Sequence, residues 1–228
     1  MGDNLGNHAA TQNLNLGPNA LVGTGASIGA AVGLGVRAYG GLNLGQNTFS
    51  GNIFLGYQAG QANGFGSQNQ FVGYLSGAAN TSSNYNLFSS PQSGNANTTG
   101  SYNLFSGPYS GYANTTGSYN LFSGSYSGYA NTTGSFNLFS GYQSGQANTT
   151  GSYNQFSGYQ SGYANTTGFY NLFSGYQSGY SNTTGVNNVF SGFQSGYNTT
   201  TGSQNQFNSS GSGNTSCCGN VFSGFQSD

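Results

Sequence analysis

Phe recurs at 54, 71, 88, 105, 122, 139, 156, 173, 190 and 207, every 17 residues without a slip. Two residues before each stands Asn, at 52, 69, 86, 103, 120, 137, 154, 171, 188 and 205. Six residues after each stands Gly, at 60, 77, 94, 111, 128, 145, 162, 179, 196 and 213. Three columns in register make this a repeat architecture, with the unit Asn-x-Phe-Ser-Gly-x-x-Ser-Gly-x-Ala-Asn-Thr-Thr-Gly-Ser-x. A 17-residue unit is too short for a helical pair, and Gly every few positions penalises helix heavily.

The unit suits one coil of an all-β parallel β-solenoid, a β-roll or β-helix with two short strands per coil. Fully extended, such a unit reaches about 55 Å, and two strands with two turns use that length. Strand one is expected from Tyr102 to Gly107 and strand two from Tyr109 to Asn114. The Ser-Gly and Asn-Thr-Thr-Gly stretches between them hold residues that tolerate positive φ or form Asx-turns.

Alternation says which side faces in. Asn103, Phe105 and Gly107 share one face of the first strand, Gly111 and Ala113 one face of the second, and these columns scarcely vary. The position between Asn and Phe accepts Ile53, Gln70, Leu87, Leu104, Gln155, Val189 and Gln206, as an exposed or contact site does. The expected core is therefore a ladder of Asn103 and Phe105, Asn120 and Phe122, Asn137 and Phe139, Asn154 and Phe156, and Asn171 and Phe173. With coils about 4.8 Å apart, ten of them make a rod core roughly 45 Å long. Each buried Phe contributes on the order of 2–3 kcal/mol. An unpartnered buried Asn costs about 1–3 kcal/mol, so the Asn column must bond from coil to coil.

The array covers 46–207. Residues 208–228 form an irregular last coil in which Asn220-Val221-Phe222 restates the motif 15 residues after Asn205. An open coil there invites stacking onto another molecule, unless the chain is a piece of a longer repeat protein. Residues 1–45 diverge: Leu14-Asn15-Leu16-Gly17 and Leu42-Asn43-Leu44-Gly45 alternate like strands around a Gly/Ala/Val-rich stretch. They read as further coils or as a docking arm.

Charge changes the picture most. Of 228 residues only Asp3, Arg37 and Asp228 are charged, beside a single His8, while Gly numbers 42, Tyr 18 and Phe 17. One Arg cannot release phosphate counterions, so nucleic acid is excluded as a partner. Acid–base, metal and phosphoryl-transfer chemistry lack their groups, so no enzymatic activity, cofactor or metal is expected. Aromatic richness without charge also argues against disorder. The most apolar stretch, Ala20 to Val36, is broken by Gly at 23, 25, 29, 33 and 35, too short and interrupted to insert in a membrane as a helix. Met1-Gly2-Asp3-Asn4 has no basic region of a signal peptide. Arg37 reads as a docking ion pair or a solvated residue, and His8 as a surface residue rather than a ligand.

Outward tyrosines at 102, 109, 112, 119, 126, 129, 153, 163, 170 and 180 form stripes. They read as cross-strand packing, or as a lateral contact or carbohydrate-stacking face. Asn97, Asn114, Asn131, Asn148, Asn165 and Asn182, with Asn80, Asn198, Asn208 and Asn214, stand in Asn-x-Ser/Thr acceptor patterns. In the repeats these fall in the expected turn, where a glycan projects, although Asn-Thr-Thr-Gly is also good turn chemistry. Adjacent Cys217 and Cys218 suit intermolecular disulfides outside the cell, or two small buried thiols.

The segment from Gly2 to Leu14 and the Asn-x-Phe-x-Gly…Asn-Thr-Thr-Gly array over 47–207 resemble repeat proteins of bacterial surfaces and phage tail fibres. More distantly the array is similar to the β-roll heads of trimeric autotransporter adhesins. That resemblance implies a parallel β-solenoid outside the cell or on a virion, serving as a fibre shaft or adhesive head. No counterpart of those proteins' coiled-coil stalk, membrane anchor or C-terminal chaperone-like domain is expected within these residues.

Three functions stay in view. The first is a structural subunit of an extracellular filament, its partner a further copy of itself, stacked end to end through continued Phe and Asn ladders. The second is an adhesin or tail-fibre shaft binding a surface glycan. The third is an ice-binding solenoid with Thr115-Thr116 and its equivalents as a Thr array.

Overall fold

The computed structural model describes residues 51–211 and 218–223. The chain divides into two compact units, Met1–Asn43 and Leu44–Asp228. The described residues belong to the second; the coils or arm expected over 1–45 lie outside them, as do Asp3, His8, Arg37, Asn214, Cys217 and Asp228.

Each coil contributes one short strand: β1 Ile53–Leu55, β2 Gln70–Val72, β3 Leu87–Phe88, β4 Leu104–Ser106, β5 Leu121–Ser123, β6 Leu138–Ser140, β7 Gln155–Ser157, β8 Leu172–Ser174, β9 Val189–Ser191, β10 Gln206–Phe207 and β11 Val221–Phe222. They form one 11-stranded parallel sheet in chain order. Register is uniform: Phe105 pairs with Phe122 and Phe122 with Phe139. The fold is the all-β parallel solenoid that the period implies, with Phe inside and Leu or Gln outside.

The second strand is a correction. Tyr109 to Asn114 is not a strand but two successive β-turns, in which Ser110 N–H donates to the Gly107 carbonyl and Asn114 N–H to the Gly111 carbonyl, both at 3.1 Å. The cause is backbone handedness: Tyr109 (φ 59°) and Gly111 (φ 55°) are left-handed, which no strand accommodates. The turns are nevertheless laddered. Gly111 N–H reaches the Ser127 carbonyl of the next coil at 2.9 Å, and Ala113 N–H the Tyr129 carbonyl at 3.0 Å.

Two non-glycine residues per coil are left-handed, Tyr102 (φ 60°) and Tyr109 being representative. Such a residue costs roughly 1–2 kcal/mol, and the two columns contain Tyr, Gln, Phe, Leu and Asn but no β-branched residue, for which the cost is greatest. Each is tied to the preceding coil: Tyr102 N–H donates to the Asn84 carbonyl at 3.0 Å and Tyr109 N–H to the Pro91 carbonyl at 3.1 Å.

The core is one residue wide. Phe71 through Phe207 are 0% exposed, and their rings stack with centroids 4.7–4.8 Å apart. Gly makes this feasible, since a Cβ on Gly111 would lie 2.5 Å from the Phe105 ring. Ala113, expected on the same inner face, is only half-buried, as is Gly107; the turns rotate Ser110 and Asn114 inward instead, both 0% exposed.

Candidate functional site

What the sequence marks as functional is mostly a set of side-chain ladders. Asn103, Asn120, Asn137, Asn154 and Asn171 are buried beside the Phe column as expected. The N–H of Asn120 donates to Asn103 Oδ1 at 2.9 Å, and its Nδ2 donates to the Gly134 carbonyl at 2.9 Å. Each amide thus stitches the coil below to the coil above, which removes the desolvation penalty of a buried Asn.

A second amide ladder runs through the Asn-Thr-Thr-Gly segments. Asn131 Nδ2 donates to Asn114 Oδ1 at 2.7 Å and to the Gly134 carbonyl at 3.0 Å. Gly134 therefore accepts from both ladders, one through each lone pair, and Gly117, Gly151 and Gly168 do the same. These glycines are needed for space rather than handedness: a Cβ on Gly134 would lie 2.3 Å from the Gly151 carbonyl oxygen and 2.4 Å from Asn131 Oδ1. The ladder stops near Asn182, whose Oδ1 accepts from Gly185 N–H, and Asn182 Nδ2 and Asn165 Oδ1 are buried without a hydrogen-bond partner. The next coil carries Thr199 in this column.

This ladder overturns the acceptor assignment. Asn80, Asn97, Asn114, Asn131, Asn148, Asn165 and Asn182 are all 0% exposed. A glycan attaches through Nδ2, the atom buried in the ladder, so a folded coil has no room for one. Asn198 and Asn208 are exposed. Cys218 is an exposed free thiol rather than a buried one.

Ser110 and its equivalents form a further buried column that the alternation of the expected strand conceals. Ser127 Oγ donates to the Gly124 carbonyl at 2.9 Å, and Ser144 Oγ to the Phe156 carbonyl at 3.1 Å. The signal for both missed columns was their near-constancy, broken only at Thr199 in the Asn column and Ala59 in the Ser column among the described residues. The first Thr of each turn is also committed: Thr115 Oγ1 donates to the Thr132 carbonyl at 3.0 Å. The second, Thr116, is exposed.

The outer face is aromatic and uncharged. Tyr85, Tyr102, Tyr119, Phe136, Tyr153 and Tyr170 form one row with ring centroids 4.8–5.0 Å apart. Tyr142, Tyr159, Tyr176 and Phe193 form a second at 5.1–5.5 Å, and Tyr163, Tyr180 and Tyr197 a third at 4.9 Å. Rings inside a row have their faces against neighbours and present edges and hydroxyls. Burial, reinforced by the flanking phenols Tyr163, Tyr197 and Tyr159, raises the Tyr180 pKa above its ordinary value. Between the Tyr102 row and the outward Leu87, Leu104 and Leu121 lies a groove of about 580 Å³ floored by Asn86, Asn103 and Asn120.

The chain matches no protein-family profile, no curated protein and no solved structure. Its site chemistry therefore rests on its own residues. Among the described residues no three His, Cys, Asp or Glu side chains cluster as metal ligands would, and no helix is long and apolar enough to cross a membrane.

Proposed function

We propose that the chain is a non-enzymatic structural protein, the β-solenoid subunit of an extracellular filament or fibre whose subunits stack end to end. The supporting observation is the joint between β10 and β11. There the link is 15 residues instead of 17, yet Phe207 pairs with Phe222, and Asn220 N–H and Nδ2 reach Asn205 Oδ1 at 3.1 and 3.0 Å. Coil stacking follows from matching ladders, not from the length of the connecting chain. A coil edge of another molecule carries the same Asn, Phe and backbone groups and offers the same bonds. Stability of such arrays is a sum over neighbours, so an interface between subunits repeats the interfaces within one.

Two other readings have less support. Ring faces covered within each aromatic row weigh against a sugar-stacking surface, and the backbone-bound Thr115 hydroxyl weighs against a Thr array for ice. Electron microscopy of undenatured protein at micromolar concentration tests the proposal. Long uniform fibres with a meridional spacing near 4.8 Å are expected; compact particles of one fixed length would sink it.

A further inference from the structure

The groove beside the Tyr102 row has no occupant in the coil that builds it. Its rim aromatics Tyr85, Tyr102 and Tyr119 are half exposed, at 48–51%, and Leu87 across the groove is 38% exposed; beyond the groove the same two columns continue half exposed through Phe136 at 47%, Tyr170 at 53% and Leu172 at 38%. A contiguous apolar stripe of this kind marks a contact. We propose that it is a lateral interface with a second copy of this chain, the two solenoids lying side by side and pointing the same way.

Three observations select that partner. First, none of the described residues is Asp, Glu, Lys, Arg or His, so nothing repels an identical uncharged face or recruits a charged one. Second, the row repeats at 4.8–5.0 Å because the coils do, and a second copy carries the same repeat along its whole array. Third, the surface is self-complementary. A twofold axis parallel to the solenoid axis, set between row and groove, places the Tyr102 row of each copy in the groove of the other. A twofold across the solenoid would set row against row. The parallel arrangement also leaves both coil ends free, so pairing is compatible with end-to-end growth but does not depend on it.

The area decides whether such a pair holds. A half-exposed Tyr leaves roughly 100 Å² uncovered, so one coil offers far too little for a specific contact. Six coils in register, with the Leu column, reach about 1,200 Å² over both partners, the threshold of a specific interface. Pairing is therefore a property of the whole array.

The test uses the full chain and the tolerance that the chain itself displays. Gln occupies the Tyr102 column at Gln68 and Gln204, and the Leu104 column at Gln70, Gln155 and Gln206. The variant Tyr102→Gln, Leu104→Gln, Tyr119→Gln, Leu121→Gln, Tyr153→Gln thus keeps residues compatible with each backbone position. Dark-field electron microscopy of filaments, or sedimentation if particles stay short, should give the wild type twice the mass per length or per particle of this variant. Tyr159→Ser with Tyr176→Ser, in a row where Ser125 is native, should leave the doubling intact. Short particles that still double would count against end-to-end stacking while supporting the pair. Equal mass for wild type and groove variant overturns the proposal. So does wild type that pairs only when a polysaccharide or another protein is added, which assigns the groove to that partner. Hydroxyl-radical footprinting of the wild type is a check free of substitutions. Protection of Tyr102 and Tyr119 should rise with protein concentration while Tyr159 and Tyr176 stay reactive, and uniform reactivity overturns the pair.

Discussion

Leu104 to Ser106 and Tyr109 to Asn114 face each other across the same Phe ring, yet one is a strand and the other a pair of turns. The strand wall is held by in-register parallel pairing and by the Asn103 amide column. The turn wall has left-handed residues at Tyr109 and Gly111, yet it bonds to its neighbours through Gly111, Ala113 and Thr115 and carries its own amide column at Asn114. Repetition, rather than strand geometry, makes a ladder. Any backbone shape that stacks on a copy of itself brings each donor to the same height above each acceptor, and left-handed turns serve as well as strands.

The sharpest way to break this comparison is to remove what both walls share. Phe122→Ala with Phe139→Ala should cost about 3–5 kcal/mol at each site, lowering the melting temperature steeply; unchanged melting would contradict the inward Phe column. Gly128→Ala adds a methyl 2.4 Å from the Phe122 ring at a φ of +55° and should destabilise the coil from its turn wall by about 1–3 kcal/mol.

Next come the two amide ladders. Asn131→Asp on the turn wall and Asn137→Asp on the strand wall each place a carboxyl where no cation can pair with it. Its folded pKa rises above the unfolded value of about 4, so the ionisation penalty is absent in acid and grows as pH climbs past that value. Thermal melts from about pH 3 to 7 should show both variants nearest the wild type at the acid end. A penalty at Asn137 but none at Asn131 would mean that the turn-wall amides are not a ladder.

Smaller effects separate neighbours within one turn. Thr132→Val removes a hydroxyl bonded to the Thr149 carbonyl and should cost about 1 kcal/mol. Thr133→Val, at an exposed site, should stay within about 0.5 kcal/mol of wild type. Smallest of all is the response to salt and pH. With no Asp, Glu, Lys, Arg or His among the described residues, their melting should hold level from about pH 4 to 9. Since Tyr180 ionises less readily when folded, stability is present below the ordinary Tyr pKa near 10 and is lost as pH rises beyond it. A transition near neutral pH would point to groups outside the array.

Most of the fold was legible because it is a matter of counting. A Phe column 17 residues apart requires stacked coils, and a constant companion two residues away, as Asn103 is to Phe105, requires both side chains to face in. The site was legible in part. Asn114 shares its residue types with ordinary exposed turns, so local propensity pointed outward where stacking turned it in. Ser110 was hidden because an assumed strand alternates, and a left-handed Tyr109 shifts that alternation by turning the chain. The groove beside Tyr102 was beyond reach, since its rims come from columns whose separation depends on the dihedral angles of the coil.

The amino-acid sequence alone determined the period, the parallel register and the uncharged character of the array at neutral pH, because identical units spaced evenly can stack in only one register without mismatching every column. Tertiary structure alone decided that the second wall is made of turns, that the Asn-Thr-Thr-Gly amides lie inside, and that the tyrosine rings cover one another's faces. Those outcomes depend on how closely one coil sits on the next, and that distance is set by the backbone bonds between coils rather than by any residue within one.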